Sequence, residues 1–313
     1  MAENQRMPDP TLEALIVRNT GNSDQFTRKY NDSLLIEMRI VDSDLSSTEA
    51  DFFGTKLATP IMLGNFGGYN LMGENALLNE AAAAKELDTV IWLNEHTSDE
   101  EIETVISSGA KVGFVIKPYR DLDRFITAAK KMEAAGAIAI ASDIDHAYSK
   151  QTGTFDGRPG SEFGPRSSDE LRRIVSSLNV PFIAKGVLSV HDALKCKEAG
   201  VAGILLSHHH NIMDFSVPPL MILPDVRKAV GPDYPIIVDC GIDTGADAFK
   251  AIALGANLVS TARAVMVALK KGGKDGVVEL ISKNTAELRN FMNRTGSPDL
   301  KHVDPTVIHR LTF

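Results

Sequence analysis

The sequence is poor in cysteine. Cys196 and Cys240 are the only two among its 313 residues, and they lie far apart. Two such cysteines form neither a disulfide framework nor a metal-ligand pair, so we expect both thiols to be reduced. The sequence also lacks an apolar run long enough to cross a bilayer, and its first ten residues, MAENQRMPDP, contain no signal-peptide core. We therefore expect a cytoplasmic protein with no membrane partner.

Basic charge is scarce as well. Lysine and arginine number 33 against 41 acidic residues, which gives a formal net charge of −8. Because phosphate backbones bind to basic surfaces, this balance argues against a nucleic-acid partner. The remaining composition, 43% hydrophobic and 24% charged, is that of an ordinary globular protein. A small-molecule substrate is the partner that we expect.

From residue 60 onward, short apolar runs alternate with amphipathic, alanine-rich segments. Eight runs are typical of buried strands, over 60–65, 89–95, 112–118, 137–144, 181–188, 202–208, 235–241 and 257–263. Helices are predicted between them, for example over 75–87, 123–136 and 190–200. The last two end at Gly136 and Gly200, where a left-handed residue is needed.

Eight such units predict an α/β fold, a (β/α)8 TIM barrel. Residues 1–59 would be a short N-terminal extension, and residues 60–313 would form the barrel within one domain. An open doubly wound sheet is the alternative. GNFGGYNLMG (64–73) offers glycines after the first strand, but it lacks the G-x-G-x-x-G spacing of that fold.

Polar residues at the C-terminal ends of the strands are candidates for the active site, because chemistry in such barrels takes place there. They are Asn65, Asn94, Glu95, Lys117, Asp143, Asp145, Lys185, His208, His209, His210, Asp239 and Arg263. Lys185 is notable because a lysine inside an apolar strand is costly to bury unless it meets an anion or a polar cofactor. Pairing with a neighbouring carboxylate and Schiff-base chemistry are the alternatives.

Three consecutive histidines, His208 to His210, follow an apolar run that ends in Ser207. Neighbouring side chains on an extended segment point to opposite faces, so three histidines reach one metal ion only through a tight turn. We expect no metal here. One histidine would face the barrel mouth as a base, and Asp143 would fix its tautomer.

Glycines and an arginine follow the last two strands, in VDCGIDTGADAFKAIALGANLVSTARAV (238–265). Gly241 and Gly245 come after the seventh strand, and Arg263 comes after the eighth. Loops at these places form the phosphate site of many barrels, with backbone N–H groups and a helix N-terminus around the anion. An aldolase or isomerase of sugar phosphates is compatible with this pattern.

Taken together, these segments resemble the FMN-dependent α-hydroxy acid oxidase and dehydrogenase family. Residues 185–187 match its K-G-V motif. Residues 239–241, Asp-Cys-Gly, correspond to its D-G-G motif, and residues 262–263, Ala-Arg, correspond to its G-R motif. SHHHNIMD (207–214) is similar to its S-N-H-G-G-R-Q-L-D signature with one residue deleted. ASDID (141–145) is similar to its T-V-D-T-P segment.

The resemblance implies FMN as cofactor and His209 as catalytic base. It places Asp143 as the carboxylate that orients the base, and Lys117 at the position of an active-site tyrosine. It also implies a homo-oligomer, since tetramers are common in the family. The implied cofactor contacts are Lys185, Asp239, Gly241, Ala262, Arg263, Asn65, Asn94 and Ser207.

Departures from the family pattern concern the substrate and the phosphate. Asn211, Ile212 and Met213 occupy the stretch of the signature arginine, and a second substrate arginine has no match unless Lys150 substitutes. Two flavin contacts also change, to Val115 and Asp243. Because lysine does not reproduce the forked geometry of arginine, we expect an FMN-dependent oxidoreductase of CH–OH groups whose substrate is not a simple 2-hydroxy carboxylate. A non-oxidative flavin-dependent isomerase and a degenerate barrel serving as a binding or accessory protein are the alternatives.

Overall fold

Eight parallel strands close into a barrel in the computed structural model, which describes residues 21–311. The strands are β1 (Ile61–Leu63), β2 (Val90–Asn94), β3 (Lys111–Ile116), β4 (Ala139–Asp143), β5 (Phe182–Val187), β6 (Gly203–Leu206), β7 (Ile236–Val238) and β8 (Leu258–Thr261). The barrel closes between β8 and β1, where Val259 pairs with Ile61. The predicted (β/α)8 architecture is confirmed. Seven predicted strands contain the observed ones, and β3 begins one residue before its predicted range.

Nine helices occur within residues 21–311, and most of them cover the barrel from outside. They are α1 (Ser23–Asp32), α2 (Ala76–Glu86), α3 (Asp99–Ser107), α4 (Leu122–Ala135), α5 (Ser168–Ser177), α6 (Val190–Glu198), α7 (Pro219–Val230), α8 (Gly245–Ala253) and α9 (Arg263–Arg294). Gly136 and Gly200 take the predicted left-handed conformation after α4 and α6. In the part of the chain that the structure describes, every helix is too short or too polar to span a bilayer.

The barrel interior is filled by apolar side chains from all eight strands. Trp92 is the largest of them, and it packs in one cluster with Met62, Ile183 and Leu205. A Cβ atom on Gly113 would lie 2.5 Å from the Trp92 ring, so a glycine at this position makes room for the indole. Because both faces of each strand are covered, the strands are almost continuously apolar.

The residues before the barrel cover both of its ends. A hairpin of strands Ala50–Phe52 and Thr55–Leu57 places Phe52 in the same interior cluster as Trp92. At the opposite end, α1 lies against the loop after β7. A Cβ atom on Gly241 would lie 2.6 Å from a methyl group of Thr27, which makes this approach unusually close. Two further antiparallel pairs join Leu34–Ile36 to Ile308–Arg310 and Gly157–Arg158 to Ser161–Glu162.

Glu80 on α2 is a fully buried carboxyl group. One of its oxygens accepts a hydrogen bond from the Tyr69 hydroxyl at 2.7 Å, and the other has no partner among residues 21–311. Burial raises the pKa of Glu80 from its ordinary 4.5 to about 8. Glu80 is therefore protonated in the folded protein at neutral pH.

This carboxyl group makes stability depend on pH. Because folding favours the protonated form, its contribution is complete below pH 4.5 and is lost as the pH rises through 8. Glu80→Gln keeps the acceptor for Tyr69 without the ionisation, so it should flatten the decline. Urea unfolding at about pH 5 and about pH 9 measures the effect, with Glu86→Gln on the exposed side of α2 as control. A decline as steep as in the wild type would contradict this assignment.

Candidate active site

Two lysines share one buried carboxylate at the C-terminal mouth of the barrel. Asp143 ends β4 and pairs in register with Lys185 of the neighbouring β5, while Lys117 follows β3. The Lys185 ammonium lies 2.6 Å from Asp143 Oδ1, and that of Lys117 lies 2.7 Å from Oδ2. Burial alone would raise the pKa of Asp143, but the charges of Lys185, His209 and Lys117 hold it well below its ordinary value. The carboxylate is therefore ionised.

His209 lies beside this ion cluster. Its Nδ1 atom is 3.2 Å from both oxygens of Asp145, whereas its Nε2 atom is 3.8 Å from Asp143 Oδ2. The contact expected from Asp143 is thus made by Asp145. The Lys185 ammonium lies 3.2 Å from Nε2 and 3.3 Å from Nδ1, and the His146 ring packs edge-on at a centroid distance of 4.1 Å. The imidazole ring is thus contacted by Asp145, Lys185 and His146.

The other two histidines face away from His209, because residues 209–211 form a tight left-handed turn. His208 is buried, accepts the backbone N–H of Asn211 at Nδ1 and meets the Thr27 hydroxyl at 2.7 Å through Nε2. Burial lowers the pKa of His208. His210 Nδ1 lies 3.4 Å from Asp24. Burial alone would lower the pKa of His210, but Cys240 and Asp24 raise it above its ordinary value.

Metal-ligating side chains come together in two groups, each with one histidine of the triplet. The first combines Asp143, His146 and His209, and the second combines His210, Asp239 and Cys240. In the first group both oxygens of Asp143 already bind lysine ammonium groups, whose positive charges oppose a cation. The three histidines of the triplet do not converge on one point.

An anion cradle lies at the ends of β7 and β8. No side chain of the described residues caps the N-terminus of α9, so its first N–H groups are open to a ligand. Arg263 begins this helix, and its guanidinium lies 2.8 Å from Asp24 on α1. Asp243 lies in the loop between β7 and α8, where burial and Asp247 raise its pKa. The cradle thus has one arginine and two nearby carboxylates, Asp24 and Asp243.

A small cavity enters the barrel next to Lys185. Asn65, Val115, Ala141 and Leu205 line it, and the Asn65 side-chain oxygen is buried without a partner among residues 21–311. Such an orphaned acceptor fits a ligand that donates a hydrogen bond.

The remaining predicted contacts are engaged within the protein. Asn94 accepts the backbone N–H of His96, Ser207 accepts that of His209, and Asp239 accepts that of Cys240. Gly241 accepts a hydrogen bond from Asn31 of α1 through its carbonyl. Ala262 is buried directly before Arg263.

Three residues of this site were not predicted in the roles that the structure gives them. Asp145 and His146 follow Asp143 within the segment SDIDH. This cluster of polar residues at the end of a strand could have indicated that both belong to the site. Asp24 lies far before the barrel, and no local pattern connects it with Arg263.

Comparisons with known proteins show the family of this chain. The sequence profile of the FMN-dependent dehydrogenase family matches residues 18–154 and 160–310. A peroxisomal (S)-2-hydroxyacid oxidase of Arabidopsis thaliana is 29% identical over 91% of this chain and 88% of its own length. A 4-hydroxymandelate oxidase of Amycolatopsis orientalis is 27% identical over 80% of this chain and 79% of its own.

Among solved structures, a mandelate oxidase carrying an FMN adduct superimposes with a TM-score of 0.83. It is 27% identical and covers 94% of this chain and 93% of its own. Fold and site define a flavin-dependent TIM-barrel oxidoreductase. The chain belongs to the FMN-dependent dehydrogenase family, as its motifs predicted, and FMN is the cofactor of that family.

The residues present fit this cofactor. Lys185 and the unpaired oxygen of Asn65 would face the ring system, Asp239 and Ser207 the ribityl chain, and Arg263 with the α9 N-terminus the phosphate. A phosphate would have to compete with Asp24, because this carboxylate already binds the arginine.

Arg263→Ala should weaken FMN binding about tenfold to a hundredfold, because it removes a charge-assisted contact with the phosphate. Asp24→Asn should strengthen FMN binding, since the arginine is then free. Quenching of flavin fluorescence on titration of the apoprotein measures both. Riboflavin, which lacks the phosphate, is the matched control and should bind all three proteins equally. Equal losses of FMN and riboflavin affinity in Arg263→Ala would contradict this role.

Proposed function

We propose that the protein oxidises the CH–OH group of a small alcohol that lacks a free carboxylate, with His209 as the base. The observation that carries the proposal is the position of His209 at the barrel mouth, between Asp145 and the Lys185–Asp143 ion pair. Bound FMN supplies the two-electron acceptor that takes the hydride. His209 takes the hydroxyl proton, so that a carbonyl product forms.

The electrostatics of the mouth support a proton transfer at His209. A proton taken up by the imidazole is stabilised by Asp145 at 3.2 Å. His146, the neighbouring ring, stays neutral, because burial and the positive neighbours His209 and Lys117 lower its pKa to about 4. The Lys185 ammonium provides positive charge where negative charge develops during oxidation.

An uncharged substrate is supported by the contacts of three lysines around the mouth, each of which already binds a carboxylate. Lys117 and Lys185 share Asp143, so this cluster keeps one net positive charge but leaves neither ammonium group unpaired. Lys150 binds Asp214 at 2.7 Å and the Asn211 carbonyl, so it does not replace the missing arginine. A simple 2-hydroxy carboxylate would therefore have to compete with Asp143 or Asp214 for a lysine.

The loops around the mouth offer apolar surface instead. Met213 and Phe215 are each more than half exposed in the loop after β6. Tyr148 and Phe155 stack on each other in the loop after β4. An arginine-to-leucine variant of mandelate oxidase has been solved with 2-hydroxy-phenylacetamide, an uncharged hydroxy amide. A 2-hydroxy amide or ester with an apolar group is the substrate class that we propose.

L-lactate and glycolate should be poor substrates, whereas neutral 2-hydroxy amides with an aromatic group should have a kcat/KM at least about tenfold higher. The comparison of mandelamide with mandelate isolates the effect of the charge, because the two differ only in that group. Efficient oxidation of either small hydroxy acid would contradict the proposed substrate class.

Among the three histidines, His209 alone should be essential. His209→Ala should reduce turnover about 10²–10⁴-fold, because a positioned base typically contributes that much, while FMN stays bound. His208→Ala and His210→Ala serve as matched controls and should cost much less, and chelators should have no effect. Turnover with a neutral hydroxy amide measures all three. A dead His210→Ala beside an active His209→Ala would move the base by one residue.

A further inference from the structure

We propose that Asp145 is the positioning residue of His209, and that Asp143 instead pairs with the two lysines. This inference rests on the proposed role of His209 as base. It departs from the family-based expectation, in which Asp143 orients the imidazole. The two carboxylates stand two residues apart at the end of β4, and their contacts differ completely.

Asp143 makes its close contacts with the two lysines rather than with His209. Lys185 takes one of its oxygens at 2.6 Å and Lys117 takes the other at 2.7 Å. The closest His209 nitrogen is 3.8 Å from Asp143, which is beyond hydrogen-bonding distance. The extra cation explains this difference. Lys117 stands where the family has a tyrosine, so Asp143 faces two ammonium groups rather than one.

Asp145 has the contacts that a positioning residue needs. Both of its oxygens lie 3.2 Å from Nδ1 of His209, and its side chain is only 12% exposed. A carboxylate in such a shielded place interacts more strongly than one in water. Within the described residues, no other carboxylate lies within hydrogen-bonding distance of the His209 ring.

The neighbouring groups determine which nitrogen carries the proton. An ionised carboxylate only accepts hydrogen bonds and an ammonium group only donates them. Nδ1 therefore donates to Asp145 at 3.2 Å. The Lys185 ammonium lies 3.2 Å from Nε2 and 3.3 Å from Nδ1, so it does not distinguish the two nitrogens. The carboxylate thus fixes a tautomer in which Nε2 is the basic atom that takes the proton of a substrate hydroxyl.

The fold also provides space for the Asp145 side chain. Gly186 in β5 has a φ of +90°, and a Cβ atom on it would lie 2.3 Å from the Asp145 carboxyl carbon. Any other residue at position 186 would displace the carboxylate. The absence of a side chain at position 186 is thus a condition for the contact between Asp145 and His209.

The experiment is a proton NMR spectrum of the resting holoenzyme in the low-field region, where an imidazole N–H bonded to a carboxylate resonates. The resonance is assigned to His209 by its loss in His209→Gln. It should persist in Asp143→Asn. In Asp145→Asn and Asp145→Ala it should disappear or move upfield, and turnover of both should fall about 10²–10⁴-fold. Asp145→Ala serves as the second variant because asparagine retains one acceptor oxygen.

Persistence of the resonance in both Asp145 variants, or its loss in Asp143→Asn alone, would overturn the proposal. The readout does not require substrate, so it is separate from the role of His209 as base. If His209→Ala keeps full turnover while the resonance behaves as expected, the proposed function fails and the assignment of the carboxylate stands.

Discussion

The active site depends on one buried ion cluster, in which Asp143 holds the ammonium groups of Lys117 and Lys185. An unpaired lysine at the position of Lys185 would be costly to bury, and two of them would repel each other. The shared carboxylate reduces both costs. It also limits what the mouth of the barrel can bind, because a carboxylate substrate would have to compete with Asp143 for either lysine.

The same cluster accounts for the surroundings of His209. With both oxygens of Asp143 occupied, the imidazole pairs with Asp145, which fits against the barrel because residue 186 is glycine. Lys117, where the family resemblance implies a tyrosine, is therefore linked to the change of the carboxylate next to the base. At the other side of the mouth, α1 places Asp24 on Arg263, so a cofactor phosphate at this place would meet an arginine that already has a partner.

Much of this could be predicted from the sequence, for a physical reason. Parallel barrel strands are covered on both faces, so each of the eight appears as an apolar run, and polar residues at their ends fall at one mouth. Asp145, by contrast, was one candidate among many at the strand ends, with no specific role. Its contact with His209 depends on where the Lys117 side chain points across two strands, which spacing does not encode. The position of α1 over Gly241 depends on packing between residues about 200 apart in sequence, and no local pattern reports such a contact.

The central claim is that this barrel performs flavin-dependent oxidation at His209 on an uncharged alcohol. An anaerobic visible spectrum of the purified holoenzyme, recorded before and after addition of a neutral 2-hydroxy amide, tests it most directly. We predict that the flavin absorbance bands are present at the start and bleach when the amide is added, with no comparable bleaching in His209→Ala. A protein that stays colourless after addition of FMN, or bands that persist while product forms, would contradict the account.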